Sequence, residues 1–226
     1  MRRSSIPFSA AFALAAAAIA AMTCPGATAA KSMAMARAAH SGPVAAGRDT
    51  AVFAGGCFWS MEAAFEGQPG VVNAVSGYSG GHVANPSYDL VTTETSGHRE
   101  TVQVTFDPAR TSYDKLLDIY WHSTNPTQAD GQFCDHGDSY RPAIFYRTAA
   151  QRDAALASKQ AIEASGVLHR PIVTEIRPAA PFYRAEEYHQ DYAHKNPEAY
   201  HEYREGCGKD RSLDQLWGKL AQHHVG

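Results

Sequence analysis

The stretch from residue 50 to residue 66 constrains the fold more than any other part of the sequence. Residues 50–54 are a short apolar run of the kind that forms a buried strand. Gly55 and Gly56 then favour a tight turn, because glycine adopts backbone conformations that other residues resist. Apolar side chains recur at helical spacing after the turn, at Phe58, Met61 and Phe65. We therefore predict a strand, a tight turn and a helix that opens at Cys57.

The rest of the chain continues to alternate between strand and helix patterns. Further strands are predicted at 71–78, 100–106, 140–146 and 172–176. Further helices are predicted after the capping residues Thr111, Thr148 and Ser212, with Gly166 ending the second of them. Because several connections are too loop-rich for a doubly wound sheet, we predict an α+β fold, a two-layer α/β sandwich of the ferredoxin-like plait type with loop-rich additions.

The N-terminus has the pattern of a secretory signal peptide. Arg2 and Arg3 precede an apolar run over residues 6–22, and Ala27-Thr28-Ala29 is a small-x-small cleavage signal. An uncleaved anchor helix and a lipoprotein attached through Cys24 are weaker alternatives. We expect residues 1–30 to be removed, residues 31–49 to be a flexible leader, and the product to be periplasmic or secreted without stable membrane insertion.

Composition and cysteine count exclude several classes of protein. The net charge of −3 and a charged fraction of 19% give no polybasic surface, so we expect no nucleic-acid partner. Of the four cysteines, Cys24 leaves with the signal peptide, and the odd remainder indicates a thiol outside any permanent disulfide. No C-x-x-C motif occurs, and Cys134 with His136 is a weak pair of metal ligands, so we predict no metal site.

Cys57 is the strongest candidate for chemistry. The first backbone N–H groups of a helix lack internal partners and the helix dipole is positive there, so a helix start favours a thiolate. Phe58 and Trp59 would place aromatic walls beside the sulfur. The alternative is a buried structural cysteine among core aromatics, and spacing alone does not separate the two.

The other candidates are weaker as single residues. Glu100 begins a half-buried strand, where a partly apolar site would keep its carboxyl protonated near neutral pH, although its position alone favours an exposed strand-end glutamate. Tyr88 and Tyr140 follow turn sequences and are possible phenol donors or ordinary tyrosines. Cys207 lies between two glycines, which suits a mobile resolving thiol, the alternative being an idle thiol on a tail.

Several motifs follow one another in order over residues 52–197. They are Gly55-Gly56-Cys57-Phe58-Trp59 with Glu62, Gly77-Tyr78-Ser79-Gly80-Gly81, Asn85-Pro86-Ser87-Tyr88, Gly97-His98-Arg99-Glu100, Asp135-His136-Gly137-Asp138-Ser139-Tyr140-Arg141, and Glu187-Tyr188-His189-Gln190 with Lys195-Asn196-Pro197. Taken together, these motifs resemble the A-type methionine sulfoxide reductases. Separate motifs in a consistent order are more specific than one short pattern. The resemblance implies a catalytic domain over residues 50–200 and a C-terminal tail over residues 201–226.

The resemblance also implies a reaction. The family reduces the S epimer of methionine sulfoxide, free or in proteins, through a cysteine sulfenic acid and then a disulfide. The implied roles are Cys57 as nucleophile, Glu100 as proton donor, Phe58 and Trp59 as the S-methyl pocket, and Tyr88, Asp135 and Tyr140 as hydrogen-bonding groups. It implies no metal or organic cofactor and a thioredoxin-like dithiol donor. We expect a monomer.

The sequence alone does not identify the resolving thiol, and it leaves two alternative functions to consider. We predict a Cys57–Cys207 disulfide after one turnover, with Cys134 as the competing thiol beside Asp135. A cysteine hydrolase with a histidine base is formally possible, since the chain has 11 histidines. A module that binds oxidised peptides without catalysis is the third alternative.

Overall fold

The computed structural model describes residues 47–223. The predicted signal peptide, and the predicted leader as far as Ala46, lie outside these residues. Within the described part of the chain, no helix combines the length and the apolar character needed to cross a membrane.

A six-stranded sheet forms the centre of the protein. The described residues form eight strands, which are β1 (Asp49–Ala54), β2 (Val71–Ser79), β3 (Arg99–Phe106), β4 (Gly131–Gln132), β5 (Asp135–His136), β6 (Ala143–Tyr146), β7 (Glu175–Pro178) and β8 (Tyr183–Arg184). Strands β4 and β5 form a separate two-stranded ribbon, and the other six form the sheet. The sheet order is β7-β6-β1-β3-β2-β8. The four inner strands pair antiparallel in the order of a ferredoxin-like plait, while β7 adds parallel to β6 and β8 adds antiparallel to β2. The predicted α+β class is confirmed.

Seven helices accompany the sheet in the described residues. They are α1 (Phe58–Phe65), α2 (Tyr88–Val91), α3 (Tyr113–His122), α4 (Ala149–Ser165), α5 (Tyr192–Lys195), α6 (Pro197–Gly206) and α7 (Lys209–Trp217). The core between sheet and helices includes a stack of rings around Phe53, whose centroid lies 5.1 Å from that of Phe65 on α1 and 5.2 Å from that of Tyr120 on α3. Such ring pairs add to the stabilisation that burial provides. They hold α1, and so Cys57 before it, against the sheet.

Three predicted boundaries shift for local reasons. The cap of α3 is Ser112 rather than Thr111, because the Ser112 hydroxyl accepts the Lys115 N–H at 3.2 Å. Helix α7 starts after Gly208, so Ser212 lies inside it and its hydroxyl donates to the Gly208 carbonyl. Strand β6 begins at Ala143, since Pro142 has no N–H to donate. The predicted cap Thr148 is confirmed by its bond from the Gln151 N–H at 3.1 Å.

The C-terminal helices pack against the rest of the fold. The boundary predicted at residue 200 falls inside α6. On α7, Leu213 and Trp217 are buried in the core, and the Trp217 indole donates to the Thr124 carbonyl at 2.9 Å. Leu220, predicted on the same apolar face, is 55% exposed. These contacts hold the segment that carries Cys207 against the domain.

Candidate active site

Cys57 lies at the junction of β1 and α1, as the sequence predicts. It is the residue that caps α1, and its carbonyl accepts the Ser60 N–H at 3.1 Å. Gly56 before it has a φ of +84°, and a Cβ there would lie 2.5 Å from the Gln132 side chain. Any larger residue would therefore push the nucleophile's turn away from the β4–β5 ribbon. The Cys57 side chain is buried, with 9% of the residue exposed.

Glu100, near the start of β3, contacts the first residue of helix α1, directly after Cys57. Its Oε2 accepts the Phe58 N–H at 2.9 Å, and only 2% of the residue is exposed. Burial raises the pKa of Glu100 to about 8 in spite of the Phe58 hydrogen bond, which lowers it, and the charges of Asp135 and Glu94 add smaller increases. The alternative of an exposed strand end is therefore wrong. Near neutral pH this carboxyl is a neutral proton donor.

Burial favours the protonated form of the Cys57 thiol. Burial raises the pKa of this thiol well above its ordinary range, and the nearby carboxyls of Glu100 and Asp135 raise it further. The Tyr203 hydroxyl and the Trp59 backbone act in the opposite direction. Burial therefore opposes the stabilisation of a thiolate that the sequence led us to expect at the helix start.

Tyr203 links the nucleophile to Asp135 and was missed by the sequence analysis. Its hydroxyl is hydrogen-bonded to the Cys57 thiol and donates to Asp135 Oδ2 at 2.5 Å. Burial raises the pKa of Asp135. The only signal in the sequence was spacing, since Tyr203 stands one helical turn before Cys207 and residues four apart share a helix face.

Two phenols complete the polar side of the site. Tyr88 and Tyr140 are hydrogen-bonded to each other, and both lie within electrostatic range of Glu100 and Cys57. Burial raises the pKa of Tyr88 to about 12, so it stays a neutral donor. The turn that ends at Tyr140 is anchored by Glu94, whose carboxylate accepts both the N–H and the hydroxyl of Ser139 at 2.8 Å.

Aromatic rings form the apolar side. Phe58 is buried, and Trp59 is partly buried with its ring stacked on Tyr192 at 3.7 Å between centroids. The Trp59 indole donates to His189 Nδ1 at 3.1 Å, and the His189 ring lies 4.8 Å from that of Phe58. Of these aromatic residues, only Phe58 and Trp59 were predicted from the sequence. Residues His189 and Tyr192 come from a histidine- and tyrosine-rich segment with no clear period.

Cys134 and Cys207 form a disulfide, and Cys57 is the free cysteine of the described chain. The Cα atoms of the pair are 5.1 Å apart, within the normal range for a disulfide. Cys207 ends α6 and Gly208 leads directly into α7, so the predicted mobile loop is instead a tight link between two helices. The two candidates for resolving thiol are therefore bonded to each other.

Two groups of side chains in residues 47–223 have ligand atoms within 4.8 Å of one another, as a metal site would require. They are Cys134, Asp135 and Cys207, and Glu62, Glu66 and Asp191. In the first group both sulfurs are occupied by the disulfide. In the second, both Glu62 oxygens accept backbone N–H groups, from Ser76 at 3.2 Å and Asp191 at 3.0 Å. In each group, ligand atoms are therefore already bonded or hydrogen-bonded to other atoms of the protein.

Comparison with known proteins identifies the family. Residues 49–221 match the family profile described as peptide methionine sulfoxide reductase. The chain belongs to this family. Its A-type character follows from relatives named peptide methionine sulfoxide reductase MsrA, of which the protein of Bacillus licheniformis is 52% identical over 172 residues, 76% of this chain and 95% of that protein. The protein of Bacillus subtilis is 51% identical over 171 residues, 76% of this chain and 97% of that protein.

The fold agrees with a solved structure of the same family. Methionine sulfoxide reductase A of Corynebacterium diphtheriae superposes with a TM-score of 0.60 at 33% identity, covering 67% of this chain and 76% of that one. This member of the family is therefore an oxidoreductase that reduces methionine sulfoxide with thiols. Besides burial, the influences on the pKa of the Cys57 thiol come from two carboxyls, a phenol and a backbone group, whereas a cysteine hydrolase requires an imidazole base.

Proposed function

We propose that this MsrA reduces the S epimer of methionine sulfoxide, free or within oxidised proteins and peptides, through a sulfenic acid on Cys57. The observation that carries the proposal is the pairing of a buried thiol with a buried, neutral carboxyl. The Glu100 carboxyl accepts a hydrogen bond from the N–H of Phe58, the residue after Cys57, and its raised pKa of about 8 keeps it protonated near neutral pH. A sulfoxide oxygen leaves sulfur only after protonation, so these are the two groups that the reaction needs.

The proposed step balances in atoms and protons. Glu100 donates its proton to the sulfoxide oxygen while the Cys57 sulfur gives up its own proton and attacks the substrate sulfur, and the protonated oxygen is then transferred to Cys57. The sulfur–oxygen bond of the substrate breaks, methionine departs, and the oxygen remains on Cys57 as a sulfenic acid. Sulfur of the substrate is reduced by two electrons and Cys57 is oxidised by two. Tyr88 and Tyr140, as neutral phenols, hydrogen-bond the oxygen while charge develops on it.

Tyr203 offers a route for the thiol proton. Its hydroxyl is hydrogen-bonded to the Cys57 thiol on one side and donates to Asp135 on the other. A proton leaving the sulfur therefore passes to the phenol as the phenol's own proton passes to Asp135. The raised pKa of Asp135 makes its carboxylate a stronger base for this transfer.

Epimer selectivity tests the proposed substrate. Phe58 and Trp59 hold the S-methyl group on one side while Glu100 must reach the oxygen on the other, so the site accepts one configuration at sulfur. We expect reduction of purified S sulfoxide in a dabsylated methionine sulfoxide assay, with R turnover lower by at least about 10²-fold, the scale of a lost proton donor. Equal rates on the two epimers would contradict the proposal.

A two-step thiol relay accounts for both the predicted Cys57–Cys207 link and the Cys134–Cys207 disulfide. Cys207 attacks the sulfenic sulfur of Cys57, and water leaves. Cys134 then attacks Cys207, so that the disulfide moves to the second pair and Cys57 returns as a thiol. The Cys134 residue is exposed. A thioredoxin-like dithiol donor, which we propose as the reductant, can therefore reach this sulfur without entering the active site.

Cys207→Ser should separate reduction of the substrate from recycling. We expect this variant to release about one methionine per enzyme and then to stop with a dithiol protein as reductant, because Cys57 has lost its proposed partner. Peptide mapping after a single turnover reports the links. Cys134→Ser is the matched control, and it should accumulate a Cys57–Cys207 disulfide. A Cys57–Cys134 link in the wild-type protein would assign the first attack to Cys134 instead.

We also propose that the enzyme works on oxidised exported proteins in the periplasm or outside the cell. The basic residues, apolar run and cleavage signal of residues 1–30 support this. N-terminal sequencing of protein from a periplasmic fraction should find Ala30 or Lys31 at the start. Recovery of the full-length chain from the cytoplasm alone would refute export.

A further inference from the structure

Lys209 is a buried amine beside the cysteine relay. It is the first residue of α7, two positions after Cys207, and only 3% of it is exposed. Its Nζ lies 5.1 Å from the centroid of the Phe133 ring, and Phe133 directly precedes Cys134. Among residues 47–223, no hydrogen bond or ion pair joins its side chain to another group. A buried lysine that forms no direct ion pair or hydrogen bond is costly to retain as a charge, which calls for a reason.

The groups that face Lys209 come from several elements. Arg204 on α6 repels its charged form, whereas Cys57, Asp135 of β5 and Asp210 of α7 attract it. Burial is the largest effect and lowers the pKa of Lys209 to about 7. The N-terminal end of α7 adds a positive dipole, which also disfavours the ammonium form. Much of the population therefore carries a neutral amine near neutral pH, and a neutral amine is a base.

The position of this amine suits one proton transfer in particular. The Cys57 sulfur is within its electrostatic reach, Cys207 is two residues away along the chain, and Cys134 is adjacent to the ring that it covers. In the relay, a thiol must lose a proton to attack, and the oxygen on Cys57 must gain one to leave as water. Glu100 lies on β3, outside the segment that carries the resolving thiol, and the Tyr203 hydroxyl, which is on that segment, already donates to Asp135.

We propose that Lys209 accepts the proton of the Cys207 thiol as that sulfur attacks the Cys57 sulfenic acid, and passes it to the departing oxygen. This inference rests on the proposed reductase cycle. The Cys207–Cys57 bond forms, the Cys57 sulfur–oxygen bond breaks, and the hydroxyl leaves as water with the proton that Lys209 carried. The lysine ends the step as it began. Cys57 sulfur is reduced in this step and Cys207 is oxidised.

The test follows the lifetime of the sulfenic acid in single turnovers without reductant. Samples are quenched with dimedone and measured by mass spectrometry between pH 6 and pH 9. In the wild-type protein, disulfide formation should slow as pH falls through about 7, because protonated Lys209 can no longer accept a proton. Lys209→Met and Lys209→Arg should both lengthen the lifetime at pH 8 by about 10²-fold or more and lose this pH dependence. Lys219→Met, a change of an exposed lysine on the same tail, is the matched control.

The Lys209→Arg variant distinguishes proton transfer by Lys209 from a purely electrostatic or structural role. Arg restores positive charge and bulk but does not give up its proton, so a Lys209→Arg variant with the wild-type rate would show a purely electrostatic or structural role and overturn the proposal. A wild-type rate that is flat across pH 7 would also overturn it, even if both variants failed to fold. Methionine release is measured in the same samples. Wild-type protein that released none would refute the proposed function itself, whereas normal release with flat kinetics would refute only the role of Lys209.

Discussion

A chain carrying Cys57→Ser is expected to release no methionine from methionine sulfoxide. The hydroxyl of serine has nearly the size of the thiol but cannot accept oxygen as a sulfenic acid, so the first step is lost. Removing a nucleophile of this kind lowers turnover by more than about 10⁴-fold. The measurement is methionine released in a single turnover, together with the mass of the enzyme, which should gain no dimedone adduct.

The matched control keeps Cys57 and removes the other two sulfurs. A Cys134→Ser, Cys207→Ser double variant should still release about one methionine per enzyme and should trap its oxidation on Cys57. The pair of experiments also tests the alternative of a module that binds oxidised peptides without catalysis. That alternative requires Cys57→Ser to retain the full biological effect, which the proposed chemistry forbids.

Glu100→Gln should slow the reductive step by about 10²–10⁴-fold while leaving substrate binding in place. Glutamine keeps the size of the side chain and can hydrogen-bond the sulfoxide oxygen, but it has no proton of comparable acidity to donate. The single-turnover rate of methionine release, measured over a range of substrate concentration, separates the rate from binding. A variant within about twofold of wild type would remove Glu100 from the mechanism.

The pH dependence of the same step follows from Glu100. The donor is the protonated carboxyl, and the pKa of Glu100 in the folded protein is raised to about 8. The donor is therefore present below pH 8 and lost as pH rises through that value, so the rate should fall on the alkaline side. Glu62→Gln is a useful control, because the Glu62 carboxyl is also buried with a pKa raised to about 8 but bonds to Ser76 and Asp191. This control should keep the alkaline fall.

The sequence was most informative where one local signal decides the structure. The apolar run, the two glycines and the helical spacing before and after Cys57 led to the correct junction of β1 and α1. Alternating residues in β3 and the Thr148 cap of α4 were recognised for the same reason, since periodicity and capping act over a few residues. The start of α7 was misplaced because Gly208 and Ser212 both fit the start of a helix, and packing of Leu213 and Trp217 decided between them.

Residue types and their order, which are properties of the sequence, determined the family, the proposed nucleophile Cys57 and the proposed donor Glu100. Tertiary structure decided the protonation states. Burial favours the protonated form of the Cys57 thiol, and desolvation depends on every element that covers the sulfur. It also decided the partners. Tyr203 contacts Cys57, and Cys207 is bonded to Cys134 across 73 residues of chain, because α6 packs against the β4–β5 ribbon. A local sequence pattern cannot predict contacts of this kind, since they depend on the path of the whole chain.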